Sequence, residues 1–247
     1  MTKKITIKNK TSLVTGANRG IGKAIASELV NRGAKKVYLG VRKLENAKEL
    51  IDQFGDKVEA IQLDVSNAND LNALSTDVLN VDILINNAGI LDAVSITGDN
   101  NKASILSNLE VNLFGVINLT NKILPQLKEK SEGAIATVGS VVSLANMPSI
   151  STYSISKAAV HSALQEYRAL LAETPILVSG IYPGPIDTDM VRDFELEKAS
   201  PEHVAKEVAN GLEKGSEYIF PDPFAVEAGE AYSKNPMQLE KSFSGIQ

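Results

Sequence analysis

The feature that most restricts the fold of this chain is a repeated pairing of a short apolar run with an amphipathic stretch. The first pair is Ser12-Leu13-Val14, followed by apolar positions at helical spacing up to about Gly33. Strand-like runs recur at 37–39, 58–63, 81–85, 134–138, 176–181 and 217–220. Strands that lack polar alternation and are followed by helices indicate a parallel sheet covered on both faces. Because crossovers are right-handed, the pattern predicts an α/β fold with a doubly wound, Rossmann-type parallel sheet.

The chain is predicted to form a single domain over residues 1–247, because no linker rich in Pro, Gly or Ser interrupts the pattern. A domain of this size buries a sizeable core without disulfides or metals. The polar, weakly patterned segment 185–200 is predicted to be a substrate flap. The segment 221–247 contains three prolines and is expected to form an irregular tail. A long helix is expected to stop around Pro125.

Composition excludes several classes of protein. The 25 basic and 30 acidic side chains give a net charge of −5, which argues against binding to nucleic acid or to an anionic membrane. The absence of Cys excludes disulfides and thiolate metal sites, and two histidines disfavour a histidine metal centre, so no metal is expected. We find no secretory signal and no pattern typical of a membrane-spanning helix, so a cytoplasmic protein is expected.

A glycine-rich turn, Gly16-Ala17-Asn18-Arg19-Gly20-Ile21-Gly22, follows the first strand. A phosphate approaches a backbone closely only where Cβ atoms are missing, and the N-terminus of a helix offers it N–H groups and a positive dipole end. The spacing differs from G-x-G-x-x-G and from the P-loop. A plain strand–helix turn is the alternative, but the position between strand and helix favours a dinucleotide pyrophosphate site.

The residues after the second strand bear on the choice of nucleotide. NAD-binding sites usually offer an acidic residue there, but this chain has Arg42 and Lys43 and no acidic residue before Glu45. Arg19 and Arg42 together would form a fork around a ribose 2′-phosphate. The alternative is that Arg42 and Lys43 are solvated surface charges. The pattern favours NADP(H).

Tyr153 and Lys157 are four residues apart and are expected on one helix face, where they can reach a shared ligand. An ammonium neighbour and the positive ring of a cofactor would lower the phenol pKa and suit Tyr153 to acid–base catalysis. Ser140, just past a strand, would polarise a carbonyl oxygen beside Tyr153. Three nearby serines are alternatives: Ser143, Ser149 and Ser151. The fourth strand is followed, at the same edge of the sheet, by the segment Asn86-Asn87-Ala88-Gly89. The simplest interpretation of this segment is a turn.

In combination, these residues identify a family. Across about residues 11–220 the chain resembles the short-chain dehydrogenase/reductases, in their compact single-domain branch, and is carbonyl-reductase-like. The matching positions are Thr15-Gly16-x-x-x-Gly20-x-Gly22, Asp64-Val65, Asn86-Asn87-Ala88-Gly89, Asn112, Ser140, Tyr153-x-x-x-Lys157 and Pro183-Gly184. Each motif alone is weak, but their shared order and spacing are specific. One departure is Gly139, where many relatives have a second Ser.

The resemblance implies four catalytic residues. Ser140 would orient the substrate carbonyl, and Tyr153 would donate the proton. Lys157 would bind the nicotinamide ribose and lower the pKa of Tyr153. Asn112 would hold a water that links Lys157 to solvent.

The resemblance also implies a set of cofactor contacts. Gly16, Gly20 and Gly22 would carry the pyrophosphate, and Thr188 matches the position that contacts the nicotinamide carboxamide. Asp64 and Val65 would flank the adenine. The remaining implied contacts are Asn18, Arg19, Ile21, Arg42, Asn87, Ala88, Gly89, Tyr153, Lys157, Pro183, Gly184 and Ile186. Arg19 and Arg42 match positions that are basic in relatives that use NADP(H).

The sequence therefore predicts an NADPH-dependent oxidoreductase that reduces a ketone or aldehyde to an alcohol, with Tyr153 as the acid and base. A 3-oxoacyl-thioester reductase and a non-catalytic NADP(H)-sensing protein are the alternatives. The expected partner is a small carbonyl or alcohol substrate. A homodimer or homotetramer is what the resemblance implies.

Overall fold

A parallel sheet of seven strands lies at the centre of the computed structural model, which describes residues 3–192, 195 and 197–246. The strands are β1 (Thr11–Thr15), β2 (Lys36–Val41), β3 (Val58–Gln62), β4 (Ile83–Asn86), β5 (Gly133–Val138), β6 (Ile176–Ile181) and β7 (Tyr218–Ile219). Their order is β3-β2-β1-β4-β5-β6-β7, and each neighbouring pair is parallel. The order turns back between β1 and β4, as in a doubly wound sheet, so the predicted α/β Rossmann-type fold is confirmed.

Helices connect the strands, and two more follow the last strand. They are α1 (Gly20–Asn31), α2 (Lys48–Phe54), α3 (Ala68–Asn72), α4 (Thr76–Leu79), α5 (Asn101–Leu109), α6 (Gly115–Lys128), α7 (Ser151–Leu170), α8 (Pro201–Lys214), α9 (Pro223–Lys234) and α10 (Pro236–Ser244). A π-helical turn, Glu110–Phe114, joins α5 to α6. Within the described ranges, no helix has the length and apolar character needed to cross a bilayer.

The sheet buries apolar side chains on both faces, because successive residues of a strand point in opposite directions. In β4, Ile83 and Ile85 pack in one cluster with residues of α1, α2 and α8. Leu84, which lies between them, packs in a second cluster with residues of α6 and α7. This two-sided burial explains why the strands read as continuous apolar runs.

The predicted helix boundaries need two adjustments. The spacing of Leu71, Leu74 and Val78 predicts one helix, but Leu71 and Val78 lie in two short helices and Leu74 lies between them. The Ser75 hydroxyl accepts a hydrogen bond from the Val78 N–H and starts the second helix. The helix expected to stop around Pro125 continues to Lys128. Pro125 lies in its last turns, so the hydrogen bond lost at a proline affects only the end of the helix.

The prediction of an irregular tail over 221–247 is wrong, because α9 and α10 lie within it. Pro223 and Pro236 each occupy the first turn of a helix, where a backbone N–H has no helical partner and the fixed φ of proline fits. Asp222 and Asn235 precede these prolines and cap the two helices, accepting hydrogen bonds from backbone N–H groups at 2.9 and 3.2 Å. The prolines are therefore helix starts.

The two ends of the segment 185–200 are paired with each other. Ile186 and Ala199 form an isolated bridge, and a short 3-10 turn spans Asp189–Val191. Asp193, Phe194 and Leu196 lie outside the described residues. A substrate flap in this segment stays a prediction.

Candidate active site

A cleft of about 810 Å³ opens at the carboxyl edge of the sheet. Its walls come from the residues that follow β1 to β6, because parallel strands all end at this edge. The predicted site residues that line it are Gly16, Asn18, Arg19, Gly20, Ile21, Arg42, Asp64, Val65, Asn87, Ala88, Gly89, Ser140, Tyr153, Lys157, Pro183, Gly184, Ile186 and Thr188. Gly22 and Asn112 are absent from the lining that the structure describes. The fold therefore brings the predicted cofactor and catalytic residues to one place.

The glycine-rich turn is held close to the chain that follows β4. Gly16 has φ +64°, a conformation that glycine adopts without strain. The Asn87 side-chain amide donates hydrogen bonds to the carbonyls of Thr15 at 2.8 Å and Gly16 at 3.3 Å. A Cβ atom on Gly22 would lie 2.3 Å from Asn87 Nδ2 and 2.4 Å from the Gly16 carbonyl oxygen. Gly22 thus acts by allowing this close packing behind the cleft.

The first turn of α1 points its N–H groups toward this cleft. Arg19, the residue before the helix, makes no side-chain capping hydrogen bond. The N–H groups of a first helical turn have no partner within the helix and attract negative charge. The turn is therefore suited to an anionic group such as a pyrophosphate.

The two arginines predicted to form a phosphate fork both line the cleft. Arg42 is exposed. Arg19 Nη1 lies 3.1 Å from Asp189 Oδ2, in an ion pair between the glycine-rich turn and the segment 185–200. The fork itself stays a prediction, and in this structure Arg19 is shared with a carboxylate.

The predicted adenine side of the cleft is fixed by a small turn after β3. Asp64 Oδ1 accepts hydrogen bonds from the Ser66 N–H at 3.0 Å and the Ser66 hydroxyl at 2.6 Å. The Asp64 N–H in turn donates to Asp70 Oδ2 at 2.8 Å. These bonds orient the Asp64-Val65 pair toward the cleft.

Tyr153 and Lys157 lie one turn apart near the start of α7 and are both buried. The Lys157 ammonium donates a hydrogen bond to the Val138 carbonyl at 2.8 Å and lies 5.6 Å from the centroid of the Tyr153 ring. Burial lowers the pKa of Lys157 to about 8, because a dry site disfavours the charged amine. The pair is therefore close enough to interact.

The expected lowering of the Tyr153 pKa is not found in the protein by itself. Burial raises the pKa of this phenol, because the phenolate would lose its hydration. The ammonium that was expected to offset this effect is directed to the Val138 carbonyl. Without a bound cofactor, the protein therefore keeps Tyr153 protonated, and a protonated phenol can donate a proton.

Ser140 joins the ends of two strands at the cleft. Its hydroxyl donates to the Pro183 carbonyl at 3.4 Å and accepts from the Val142 N–H at 3.3 Å. The alternatives have structural roles or lie elsewhere: Ser143 caps the same short turn, Ser151 bonds to the Ile96 N–H, and neither these two nor Ser149 line the cleft as described. The geometry favours Ser140 among the four serines.

Asn112 lies behind the cleft, in the π-helical turn between α5 and α6. Its side chain accepts from the Ile90 N–H at 2.9 Å and donates to the Ile90 carbonyl and the Ser156 hydroxyl, both at 3.0 Å. It thus connects the chain after β4 to the residue that precedes Lys157. The predicted link from Asn112 through water to Lys157 stays a prediction.

The sequence motifs identify only part of the lining residue by residue. The additional residues are Gly40, Asn46, Leu63, Ser66, Ile90, Leu91, Val111, Val138, Gly139, Val141, Val142, Met147, Ile150, Pro185, Asp189, Met190, Val191 and Phe224. Several of them pack in one apolar cluster with Tyr153, among them Leu91, Val142 and Met147. Most of them lie in loops, in short turns or at strand ends, and Phe224 could have been found only by treating Pro223 as a helix start.

Comparisons with known proteins agree with this arrangement. A model of the short chain dehydrogenase family matches residues 10–199. An uncharacterised oxidoreductase of Staphylococcus saprophyticus is 31% identical over 222 residues, which cover 86% of this chain and 94% of that relative. A short chain dehydrogenase from Burkholderia cenocepacia J2315, solved in complex with NADP, aligns with a TM-score of 0.89 and 30% identity over 97% of this chain and 99% of the other. The 3-ketoacyl-(acyl-carrier-protein) reductase of Brucella melitensis, complexed with NADH, aligns with a TM-score of 0.75 and 26% identity over 89% of this chain and 93% of the other.

Gly22→Ala tests the close packing behind the cleft. Alanine usually stabilises a helix by up to about 1 kcal/mol relative to glycine. Here we expect the free energy of unfolding to fall by about 1–3 kcal/mol, because the new Cβ would overlap Asn87 Nδ2 and the Gly16 carbonyl. Urea denaturation measures the change, with Ser27→Ala on the same helix as the control. A stabilised Gly22→Ala variant would show that the contact is loose.

The burial of Lys157 predicts how stability depends on pH. The unfolded chain keeps this proton up to the ordinary pKa of 10.5, and the folded protein releases it near 8. Between these values the folded state binds fewer protons, so the free energy of unfolding rises with pH. Relative to Lys157→Met, we expect the wild type to gain about 2 kcal/mol from pH 8 to pH 10 in urea denaturation. A constant difference would contradict the shift.

Proposed function

Because the chain belongs to the short-chain dehydrogenase/reductase family, we propose that it is an NADP(H)-dependent oxidoreductase of the carbonyl-reductase type. It would reduce a ketone or aldehyde to an alcohol, reversibly, with Tyr153 as the acid and base. The observation that carries the proposal is that Ser140, Tyr153 and Lys157 line the same cleft as the glycine-rich turn.

The residues of the cleft fit a nicotinamide dinucleotide phosphate. The uncapped first turn of α1 and the turn at Gly16 would hold the pyrophosphate. Arg19 and Arg42 line the same cleft and would hold a 2′-phosphate. When bound, NADPH would supply the hydride, which none of the amino-acid side chains can provide. The NADP in the Burkholderia cenocepacia relative supports this choice of cofactor.

The chain's own residues account for the proton and for the position of the substrate. The Ser140 hydroxyl would donate a hydrogen bond to the carbonyl oxygen and orient it toward Tyr153. The buried phenol of Tyr153 is protonated and would transfer its proton to that oxygen. The Lys157 ammonium, 5.6 Å from the Tyr153 ring centroid, would stabilise the phenolate that remains.

An apolar carbonyl compound fits the substrate end better than a carrier-bound 3-oxoacyl thioester. The Tyr153 side of the cleft is lined by apolar side chains of one cluster. A carrier would favour a basic patch near the mouth of the cleft. Two cations of the segment 185–200 are instead engaged within that segment: Arg192 pairs with Asp189, and Lys198 donates to the Arg192 carbonyl at 3.1 Å. The 3-ketoacyl-(acyl-carrier-protein) reductase among the similar structures keeps the thioester as the second candidate.

Catalysis is also favoured over a role as an NADP(H) sensor. A sensor would need the glycine-rich turn, but it would need neither a proton donor nor a lysine beside that donor. This chain has Ser140, Tyr153 and Lys157 together in the cleft. The buried phenol and amine are costly to keep unless they serve a reaction.

Self-association as a homodimer or homotetramer is part of the proposal. Leu106, Phe114 and Leu170 are large apolar residues that are about half exposed, at 55%, 45% and 51%. They lie on α5, the π-helical turn and α7. Burial of such residues against a second copy would remove apolar surface from water.

Oxidation of NADPH and NADH against a panel of ketones, aldehydes and 3-oxo thioesters tests the reaction directly. Within this assay, Tyr153→Phe should reduce kcat by at least about 10²-fold, because it removes the proton donor, and should leave NADPH binding nearly intact. Tyr167→Phe is the matched control: it removes a hydroxyl on the same helix that donates to Asn121 at 2.9 Å, outside the cleft. Turnover retained by Tyr153→Phe would refute the assignment.

Arg42→Asp tests the cofactor preference. Because a carboxylate would repel a 2′-phosphate, we expect the Kd for NADPH to rise at least about tenfold more than the Kd for NADH. Fluorescence titration of each cofactor measures both constants. Lys43→Asp, the same charge change at an exposed neighbour that does not line the cleft, is the control. An equal effect on the two cofactors would make Arg42 a surface charge.

A further inference from the structure

The helix α9 is attached to the turn that follows β6 by a single buried carboxylate. Asp222 Oδ2 accepts a hydrogen bond from the Gly184 N–H at 2.9 Å, and Asp222 Oδ1 accepts one from the Ala225 N–H at 2.9 Å. Asp222 is only 3% exposed. Because Gly184 lines the cleft, this carboxylate fixes the start of α9 relative to the cleft.

Phe224, in the first turn of α9, lines the cleft and is 41% exposed. A Cβ atom on Gly184 would lie 2.8 Å from Phe224 Cδ1, so the ring packs directly on the backbone of Gly184. The ring also stacks on Phe243 of α10, with centroids 6.0 Å apart and an angle of 26° between the planes. The ring is thus held from two sides, and part of its surface remains open to a ligand.

The same two C-terminal helices share an apolar cluster with the proposed proton donor. Ala225, Ala228 and Leu239 pack in this cluster with Tyr153 and with residues of the short turn after Ser140. Helix α9 therefore stands beside the reacting end of the cleft. The sequence patterns placed no substrate contact beyond residue 200.

We propose that α9 forms a wall of the substrate site, on which Phe224 binds an apolar or aromatic substituent of the carbonyl compound. Asp222 is a positioning residue that holds this wall against the turn at Gly184. The inference rests on the proposed reductase function and adds the substrate class. Binding is favoured when a ligand covers a partly exposed aromatic ring, because apolar surface is removed from water. The fixed orientation of the ring reduces the entropy lost on binding. The substrates selected are those with a large apolar group next to the carbonyl.

The test compares acetophenone with propanone, with NADPH as the reductant. Phe224→Ala should lower kcat/KM for acetophenone at least tenfold more than kcat/KM for propanone. Val226→Ala, an exposed position on the same helix outside the described lining, should not change this ratio. The ratio between two substrates does not depend on how much of the protein is folded. An unchanged ratio in Phe224→Ala, or the same change in Val226→Ala, would overturn the proposal.

The positioning role of Asp222 has its own comparison. Asp222→Asn keeps one acceptor oxygen but replaces the other with a donor, so one of the two N–H bonds is lost. We expect the same change in the acetophenone-to-propanone ratio as in Phe224→Ala, in the same direction. Ser75→Ala removes the cap of α4, a bond to the Val78 N–H at 3.4 Å outside the described lining, and should lower Tm without changing the ratio. A ratio in Asp222→Asn equal to that of the wild type would refute the positioning role.

Failure of the proposed function would be visible separately. If the wild type oxidises NADPH with neither ketone, the reductase assignment to such substrates fails. Saturation-transfer NMR of acetophenone with the protein then decides the ligand contact without turnover. A signal that is lost in Phe224→Ala and kept in Val226→Ala supports the contact, and an equal signal in all three proteins overturns it.

Discussion

Parallel pairing of the strands is the constraint on which the whole site depends. Because every neighbouring pair in the sheet runs in the same direction, the turns that follow β1 to β6 all meet at one edge. Residues far apart in the chain then become neighbours: the Thr15 hydroxyl accepts hydrogen bonds from the N–H groups of Asn87 and Ala88 at 2.9 Å each. The glycine-rich turn can pack against the chain after β4 only because this edge is shared.

The cleft divides into two chemical regions. The charged lining residues that lie near the glycine-rich turn, such as Arg19 and Arg42, suit a phosphorylated ligand. Around Tyr153 the wall is apolar, apart from hydroxyl groups and the buried Lys157. At buried groups in such an apolar region an interaction between charges is stronger than in water, and a phenol and an amine both favour their neutral forms. A molecule with a net charge of −5 can thus offer a local anion site beside an apolar one.

The fold could be predicted from the sequence wherever an apolar run was clear, as in the strand Ile176–Ile181, which the pattern predicts at the same residues. The glycine-rich turn, the segment 86–89 and Ser140 could be placed at one edge because each follows a strand, whereas most of the other site residues were implied by the family resemblance. Two kinds of information were missing. The three prolines of the C-terminal segment favour an irregular tail, whereas Asp222 and Asn235 make two of them, Pro223 and Pro236, helix starts. The direction of the Tyr153 pKa shift could not be foreseen either, because it depends on burial, which no local pattern encodes.

The parallel order of the strands also bears on when the cleft comes into existence during folding. Thr15 and Asn87 are 72 residues apart in the chain. The strands β1 and β4 are neighbours in the sheet, although β2 and β3 lie between them in the sequence. Contacts between residues so far apart in the sequence form slowly, because the chain loses the entropy of a large loop before the contacts can stabilise it. We therefore expect this edge of the sheet to form late in folding. A ligand that recognises only this finished edge acts, by mass action, as a stabiliser of the native state.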